Sequence, residues 1–308
     1  MKISCFTLFL LLIAAEQLKA QNSEDKIAAA ETLNKEYVQL YKENSEFSYT
    51  SPAGEIGAPS KYVINGKLTT NYMLLGTRKL PVAFSIIPDF TVRVRNEKSA
   101  GVRTPSFRLG GKAYVRLCES FDYYKYATLA FTHHSNGQDG AALNPDGTIN
   151  TGNGNFSTNY LTLAYHFGRS TQSATGADQY HTLNHAAGLE WHKWFNYEKA
   201  LTDDYGFTRL CYDFSLRHYK TGKENWRLNA ELNYAINKMA AYDLQAIKKR
   251  LNTEVSFHYA FPFMNNVFLM TSVGYYGEDP YNIYYRDKCA YIRLGVSSGF
   301  VRHRKNVE

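Results

Sequence analysis

Phe131-Thr132-His133-His134-Ser135-Asn136-Gly137 places an imidazole two residues before a hydroxyl. The segment 123–135 that carries them alternates as a β-strand does. Successive strand side chains point to opposite faces. Ala127, Leu129, Phe131, His133 and Ser135 therefore share one face, and Tyr124, Tyr126, Thr128, Ala130, Thr132 and His134 share the other. A hydroxyl beside an imidazole is the minimum for a serine nucleophile with its base. The base needs a third group to orient it, and an amide oxygen can accept from a ring N–H. Asn159 opens the next alternating segment, on the face of Leu161, Leu163, Tyr165 and Phe167. Antiparallel neighbours joined by one loop bring these ends together. Ser135, His133 and Asn159 then cluster on an apolar face. A polar group against hydrocarbon is costly unless partnered, so three at one spot point to a partnered site at a lipid surface.

The elements that must position this trio alternate throughout. Eleven segments repeat the pattern: 62–74, 82–95, 107–117, 123–135, 159–167, 187–191, 210–216, 228–234, 251–257, 267–273 and 290–296. In 82–95, Val82, Phe84, Ile86, Phe90, Val92 and Val94 oppose Ser85, Asp89, Thr91, Arg93 and Arg95. A soluble sandwich also alternates, so periodicity alone leaves both open. Three features favour a membrane barrel. Several segments reach the roughly 9–11 residues that a tilted membrane strand needs. The charged faces mix signs, as a filled polar lumen can. Connections also alternate between short (76–80, 119–122, 220–225, 260–265) and long (96–105, 136–156, 277–288), the pattern of inner turns and outer loops. The stretch 168–178 is too long for the turn required there. Counting back from the long loop after Ser135, 62–74 runs inward and needs an outward strand before it. Residues 46–50 can supply it. The fold class is then all-β, a twelve-stranded antiparallel transmembrane β-barrel with a short N-terminal helix.

The organisation expected is a signal segment over 1–20, a helical segment over 21–45, the barrel over 46–300 and a tail over 301–308. Lys2 and the apolar stretch 6–15 carry the signal pattern, which is too short to span a bilayer. In 23–44, Ile27, Leu33, Tyr37, Leu40 and Tyr41 recur at helical spacing with Ser23 as N-cap, read as an appendage to the barrel. Three cysteines follow the signal, Cys118, Cys211 and Cys289, an odd number without metal-like spacing. Tyr and Phe are abundant at 25 and 18, but there is no run of about 20 apolar residues, hence no membrane helix. The formal charge of +7 suits an anionic lipid surface. No clustered basic helix or aromatic RNA-binding motif accompanies it, and nucleic acid is excluded. Arg93, Arg116, Asp213, Arg217, Glu231 and Arg293 read as a structural network in the lumen. His134 faces the lumen and reads as structural. A metal site from His133, His134 and Asp139 is disfavoured because adjacent strand residues point apart.

His133-x-Ser135-Asn136-Gly137 on a barrel strand, followed by a loop acid at Asp139 and a strand-top amide at Asn159, resembles the outer-membrane phospholipase A family. The resemblance is specific over about residues 106–167 and rests elsewhere on strand number and pattern. It implies hydrolysis of acyl esters of membrane glycerophospholipids (A1, A2 and lysophospholipase type) in the cell outer membrane, with the site towards the outer leaflet. It also implies calcium and activity as a homodimer. Carried across, Ser135 is the nucleophile, His133 the base and then the acid, and Asn159 the orienting group. The backbone N–H groups of Ser135 and Gly137 form the oxyanion hole. Asp139 is the nearest hard oxygen ligand for calcium. Ser106, in Thr104-Pro105-Ser106-Phe107-Arg108, resembles a segment that supplies a further ligand. Two departures stand out: the loop between Ser135 and Asn159 is longer than the family's, and Asp139 lies one residue nearer to Ser135. Asn144, Asp146 and Asn150 add further loop oxygens. The alternative from another class is a non-catalytic barrel, a narrow pore or structural protein. A deacylase acting on lipid A would share the site chemistry without this motif.

Overall fold

The computed structural model describes residues 24–301 except 60, 78, 99–100, 103–104, 121, 173–178 and 265. The signal segment 1–20, Ser23, Thr104 and the tail beyond Val301 lie outside the described residues.

Thirteen strands form one antiparallel sheet that closes on itself. They are β1 (Ser48–Ser51), β2 (Tyr62–Thr69), β3 (Tyr72–Gly76), β4 (Val82–Arg95), β5 (Ser106–Arg116), β6 (Tyr123–Ser135), β7 (Ser157–Gln172), β8 (Gln179–Trp191), β9 (Thr208–Lys220), β10 (Lys223–Ala235), β11 (Leu251–Ala260), β12 (Val267–Tyr276) and β13 (Cys289–Ser298). Both β2 and β3 pair with β4, so they are two pieces of one staggered strand and the barrel has twelve. The short β1 closes it, pairing with β13 on one side and β2 on the other. The break within the expected strand 62–74 has a local cause. Thr70 and Asn71 face the part of β4 that carries Pro88, which lacks an N–H for the ladder. The Asn71 amide instead donates to Ser45 Oγ at 2.8 Å and Tyr114 Oη at 2.9 Å. The long connection expected over 168–178 shortens because β7 runs on to Gln172 and β8 begins at Gln179.

The barrel is apolar outside and polar inside. Leu68, Leu109, Leu163, Leu210, Val273 and Leu294, spread around the sheet, are each half or more exposed. Apolar side chains outside and charged ones inside are the pattern of a membrane barrel. Inside, Arg217 and Arg227 are among the largest fully buried side chains. Charges buried this deeply are costly unless paired or hydrogen-bonded. Arg93 reaches Asp279 at 2.7 Å and Glu55 at 3.0 Å. Arg293 reaches Glu55 at 3.1 Å and Glu254 at 3.0 Å. Arg217 donates instead to Asn44 and Ser215, and Arg116 to Asn34 and the Cys118 carbonyl. The expected network is incomplete at Asp213 and Glu231. Directly opposed on β9 and β10, they make no side-chain hydrogen bond or ion pair among the described residues and line a lumenal cavity of about 480 Å³.

Both mouths carry packed clusters of aromatic side chains. Helix α1 (Glu24–Glu43) is more than an appendage. Tyr37, Leu40 and Tyr41 are buried against Ala83, Tyr114, Tyr124 and Tyr126 of the inner wall. Tyr41 stacks on Tyr114 at 4.5 Å between ring centroids. After the helix, Asn44 donates to Tyr126 Oη at 2.8 Å and accepts from Arg217 at 2.7 Å. At the other mouth Phe156, Leu201, Tyr205, Phe207, Ile283 and Tyr285 form an aromatic cap built from the connections after β6, β8 and β12.

Candidate functional site

The register sets His133 of β6 directly opposite Asn159 of β7, and Ser135 opposite Ser157. On the other side Leu109 lies opposite His133 and Phe107 opposite Ser135. Phe131 and His133 are exposed on the outer face, while His134 between them and the lumen is buried. The imidazole of His133 donates from Nδ1 to Asn159 Oδ1 at 2.8 Å. Protonation at Nδ1 leaves Nε2 of a neutral ring as the basic nitrogen. Ser135 Oγ makes no hydrogen bond among the described residues. Ser135 and His133 stand two residues apart on one strand face, and hydroxyl–imidazole contacts that are long in an unliganded site often tighten only around a bound molecule.

Gly137 follows in the left-handed region, with φ of 65°. A Cβ there would also sit 2.9 Å from the Phe107 ring. Both facts call for glycine, whose conformation turns the chain away from the strand directly after Ser135.

The long loop after Ser135 is built. Asn136, buried, donates to the Gly154 carbonyl at 2.7 Å and accepts from Phe156 N–H at 3.0 Å. One amide thus ties the start of the loop to its end. Within the loop, Asn150 donates to the Ala141 carbonyl and to Asn153 Oδ1. Thr148 donates to Asp146 from both its backbone and its hydroxyl. These two donors hold the Asp146 carboxyl below its ordinary value.

For calcium the structure separates the two ligands expected from the resemblance. Asp139 is exposed in the loop beside Ser135. Ser106 points to the other side of the sheet, buried in the lumen wall, where its hydroxyl and His134 Nε2 share a hydrogen bond of 2.8 Å. Strand parity explains this, because Phe107 next to it shares the outward face of Ser135. Among the described residues no group of three or more His, Cys, Asp or Glu side chains is placed to hold a metal.

One element beside the trio was not read from the sequence. After β8, the turn 193–197 folds back over β7. Tyr197 bridges to Thr158, and Glu198 N–H donates to the Ser157 carbonyl at 3.0 Å. The Asn196 carbonyl accepts from Asn159 Nδ2 at 3.2 Å. His192 at the root of the turn is fully buried between Thr158 and Glu190, at 2.8 Å from each. The signal was an aromatic run, Trp191-His192-Lys193-Trp194-Phe195-Asn196-Tyr197, that breaks two-residue alternation. Alternation alone does not say where such a run folds.

No family model and no curated protein matches the chain. Solved structures do. Outer membrane phospholipase A from Escherichia coli is similar with a TM-score of 0.53 and 14% identity, over 82% of this chain and 90% of that one. The Salmonella typhi outer membrane phospholipase, described as a dimer with bound calcium, is similar with a TM-score of 0.54 and 13% identity, over 88% of this chain and 98% of that one. At this identity the likeness establishes the fold, a twelve-stranded barrel of the outer membrane phospholipase A type.

Proposed function

We propose that this protein is an outer-membrane phospholipase that hydrolyses acyl esters of glycerophospholipids with Ser135, His133 and Asn159. The observation that carries the reading is the His133–Asn159 hydrogen bond on the outer face, two residues from Ser135, in a barrel of the phospholipase A fold. The apolar outer surface supports insertion in the outer membrane, with the trio at the outer-leaflet end. The substrate then reaches the site from the lipid phase, not from the lumen.

In this mechanism Ser135 Oγ attacks the ester carbonyl while His133 Nε2 takes its proton. Asn159 Oδ1 holds the Nδ1 proton and steadies the imidazolium as it forms. The tetrahedral oxyanion is met by the N–H groups of Ser135 and Gly137. His133 then gives its proton to the departing glycerol oxygen, leaving an acyl-serine. Water, deprotonated by the same nitrogen, then attacks the acyl carbon, and His133 returns that proton to Ser135 Oγ as the ester bond to serine breaks and the fatty acid leaves.

Calcium and a homodimer are part of the proposal, supported by the description of the Salmonella typhi structure. Asp139 is the residue of this chain that offers a carboxylate beside Ser135. The remaining ligands would come from loop oxygens and a second copy, because the Ser106 hydroxyl is engaged inside the barrel. Against the pore alternative stand α1, packed against the inner wall at one mouth, and the aromatic cluster at the other.

The test is fatty-acid release from phospholipid in detergent micelles, with calcium and with a chelator. Wild type should release fatty acid. Ser135→Ala should abolish release while its barrel stays folded, seen as heat-modifiable migration. Release by that variant at the wild-type rate would refute the triad. Release that ignores the chelator would keep the triad and remove calcium. No release from folded wild type would leave a structural barrel.

A further inference from the structure

We propose that the turn 193–197 is a clasp that orients the Asn159 side chain, with Phe195 as its positioning residue, and that this clasp requires an amide behind His133. The inference rests on the proposed triad. The Asn159 amide is held at both ends: Oδ1 accepts from His133 Nδ1 at 2.8 Å, and Nδ2 donates to the Asn196 carbonyl at 3.2 Å. A carbonyl oxygen can only accept. It therefore demands a donor at that position and excludes the flipped amide, which would set oxygen against oxygen. With Nδ2 committed to Asn196, Oδ1 must face His133, and His133 must carry its proton on Nδ1. Nε2 of the neutral ring is thereby left as the acceptor that a base for Ser135 needs. A carboxylate in place of the amide would bring two acceptors together at Asn196, and the orientation would be lost.

The clasp can impose this because the turn is anchored independently of Asn159. Phe195 N–H donates to the His192 carbonyl at 3.1 Å, and Glu198 N–H to the Ser157 carbonyl at 3.0 Å. The Phe195 ring packs edge-on against Phe131, with centroids 5.3 Å apart and planes at 65°. Phe131 stands on the outward row of β6, two residues before His133, so this ring contact pins the turn to the strand that carries the base. Trp194, 74% exposed, marks the tip of the turn beyond it.

The experiment is a mutant cycle with two readouts. Phe195→Ala releases the turn from Phe131, and Phe195→Tyr keeps the ring. In fatty-acid release, Phe195→Ala should lower kcat ~3- to 10-fold with KM within about twofold, and Phe195→Tyr should restore it. Asn159→Asp should cost ~3- to 10-fold less when combined with Phe195→Ala than alone, a coupling typical of contacting groups. Equal Asn159→Asp penalties in both backgrounds, within about twofold, would overturn the clasp. The second readout needs no turnover. Ring-nitrogen NMR of His133, assigned by its loss in His133→Gln, should show the Nδ1–H tautomer in wild type and Phe195→Tyr. It should show a tautomer mixture in Phe195→Ala. A single unchanged tautomer in all three would overturn the proposal. If wild type releases no fatty acid the phospholipase reading falls, while the tautomer result still decides the clasp. Should Phe195→Ala not refold, Phe195→Leu removes the ring contact at smaller change of volume.

Discussion

Replacing Asn159 by alanine removes the acceptor 2.8 Å from His133 Nδ1 and the donor 3.2 Å from the Asn196 carbonyl. The first loss bears on catalysis. In the proposed mechanism His133 takes a proton on Nε2 at the transition state, so the hydrogen bond from Nδ1 strengthens as that proton arrives. A hydrogen bond to a charged group contributes about 1.5–3 kcal/mol. A neutral one already contributes about 0.5–1.5 kcal/mol, so the gain at the transition state is about 1–1.5 kcal/mol, a loss of ~5- to 12-fold in kcat at about 1.4 kcal/mol per tenfold. Because the strengthening occurs only in the transition state, the loss should fall on kcat and leave KM nearly unchanged. Stability should suffer less, since Asn159 is only partly buried and both freed partners can reach polar surroundings at the barrel rim. The assay is fatty-acid release at saturating phospholipid surface concentration, beside a thermal unfolding curve in the same detergent. Activity within twofold of wild type would refute the orienting role. Activity as low as that of Ser135→Ala would assign Asn159 a larger part than orienting the imidazole.

Three further outcomes follow from the geometry. Gly137→Ala should cost roughly 1–3 kcal/mol of stability, since it combines a left-handed backbone with a Cβ 2.9 Å from the Phe107 ring; thermal unfolding and fatty-acid release should fall together. Asn136→Ala strands the Phe156 N–H and the Gly154 carbonyl in a buried setting, at about 1–3 kcal/mol for each. Its readout is limited proteolysis, which should begin within 140–155 in the variant and not in wild type. Arg93→Met removes the cation between Glu55 and Asp279 and leaves Asp279 without an ion-pair partner in the lumen wall, while Glu55 keeps Arg293. It should destabilise by about 3–5 kcal/mol, measured by denaturant unfolding; a change under about 1 kcal/mol would show that lumenal water replaces the ion pairs.

Alternation made much of the fold legible. A strand has a side-chain period of two whatever surrounds it, so parity assigned His133, Ser135 and Asn159 to one face and His134 to the other. The bounds of β4 and β6 are those that alternation predicts over 82–95 and 123–135. Parity failed to carry its own consequence through at Ser106. It lies one residue from outward-facing Phe107, and the same rule that selected the trio turns the Ser106 hydroxyl into the lumen.

What stayed hidden depends on contacts distant along the chain. Pro88 interrupts the strand opposite it, and only the pairing of β2 and β3 with β4 shows that the interruption falls at Thr70 and Asn71. The spacing of Tyr37, Leu40 and Tyr41 predicts a helix but not its destination. The ring of lumenal tyrosines, Tyr114, Tyr124 and Tyr126, decides that it packs at one mouth. The turn 193–197 has no period at all, and its place over Asn159 is set by contacts to β6 and β7. The sequence by itself determined which residues face outward, because that is a property of the local backbone. The tertiary structure alone decided which outward residues touch, because register, closure and loop docking join segments that the chain holds far apart.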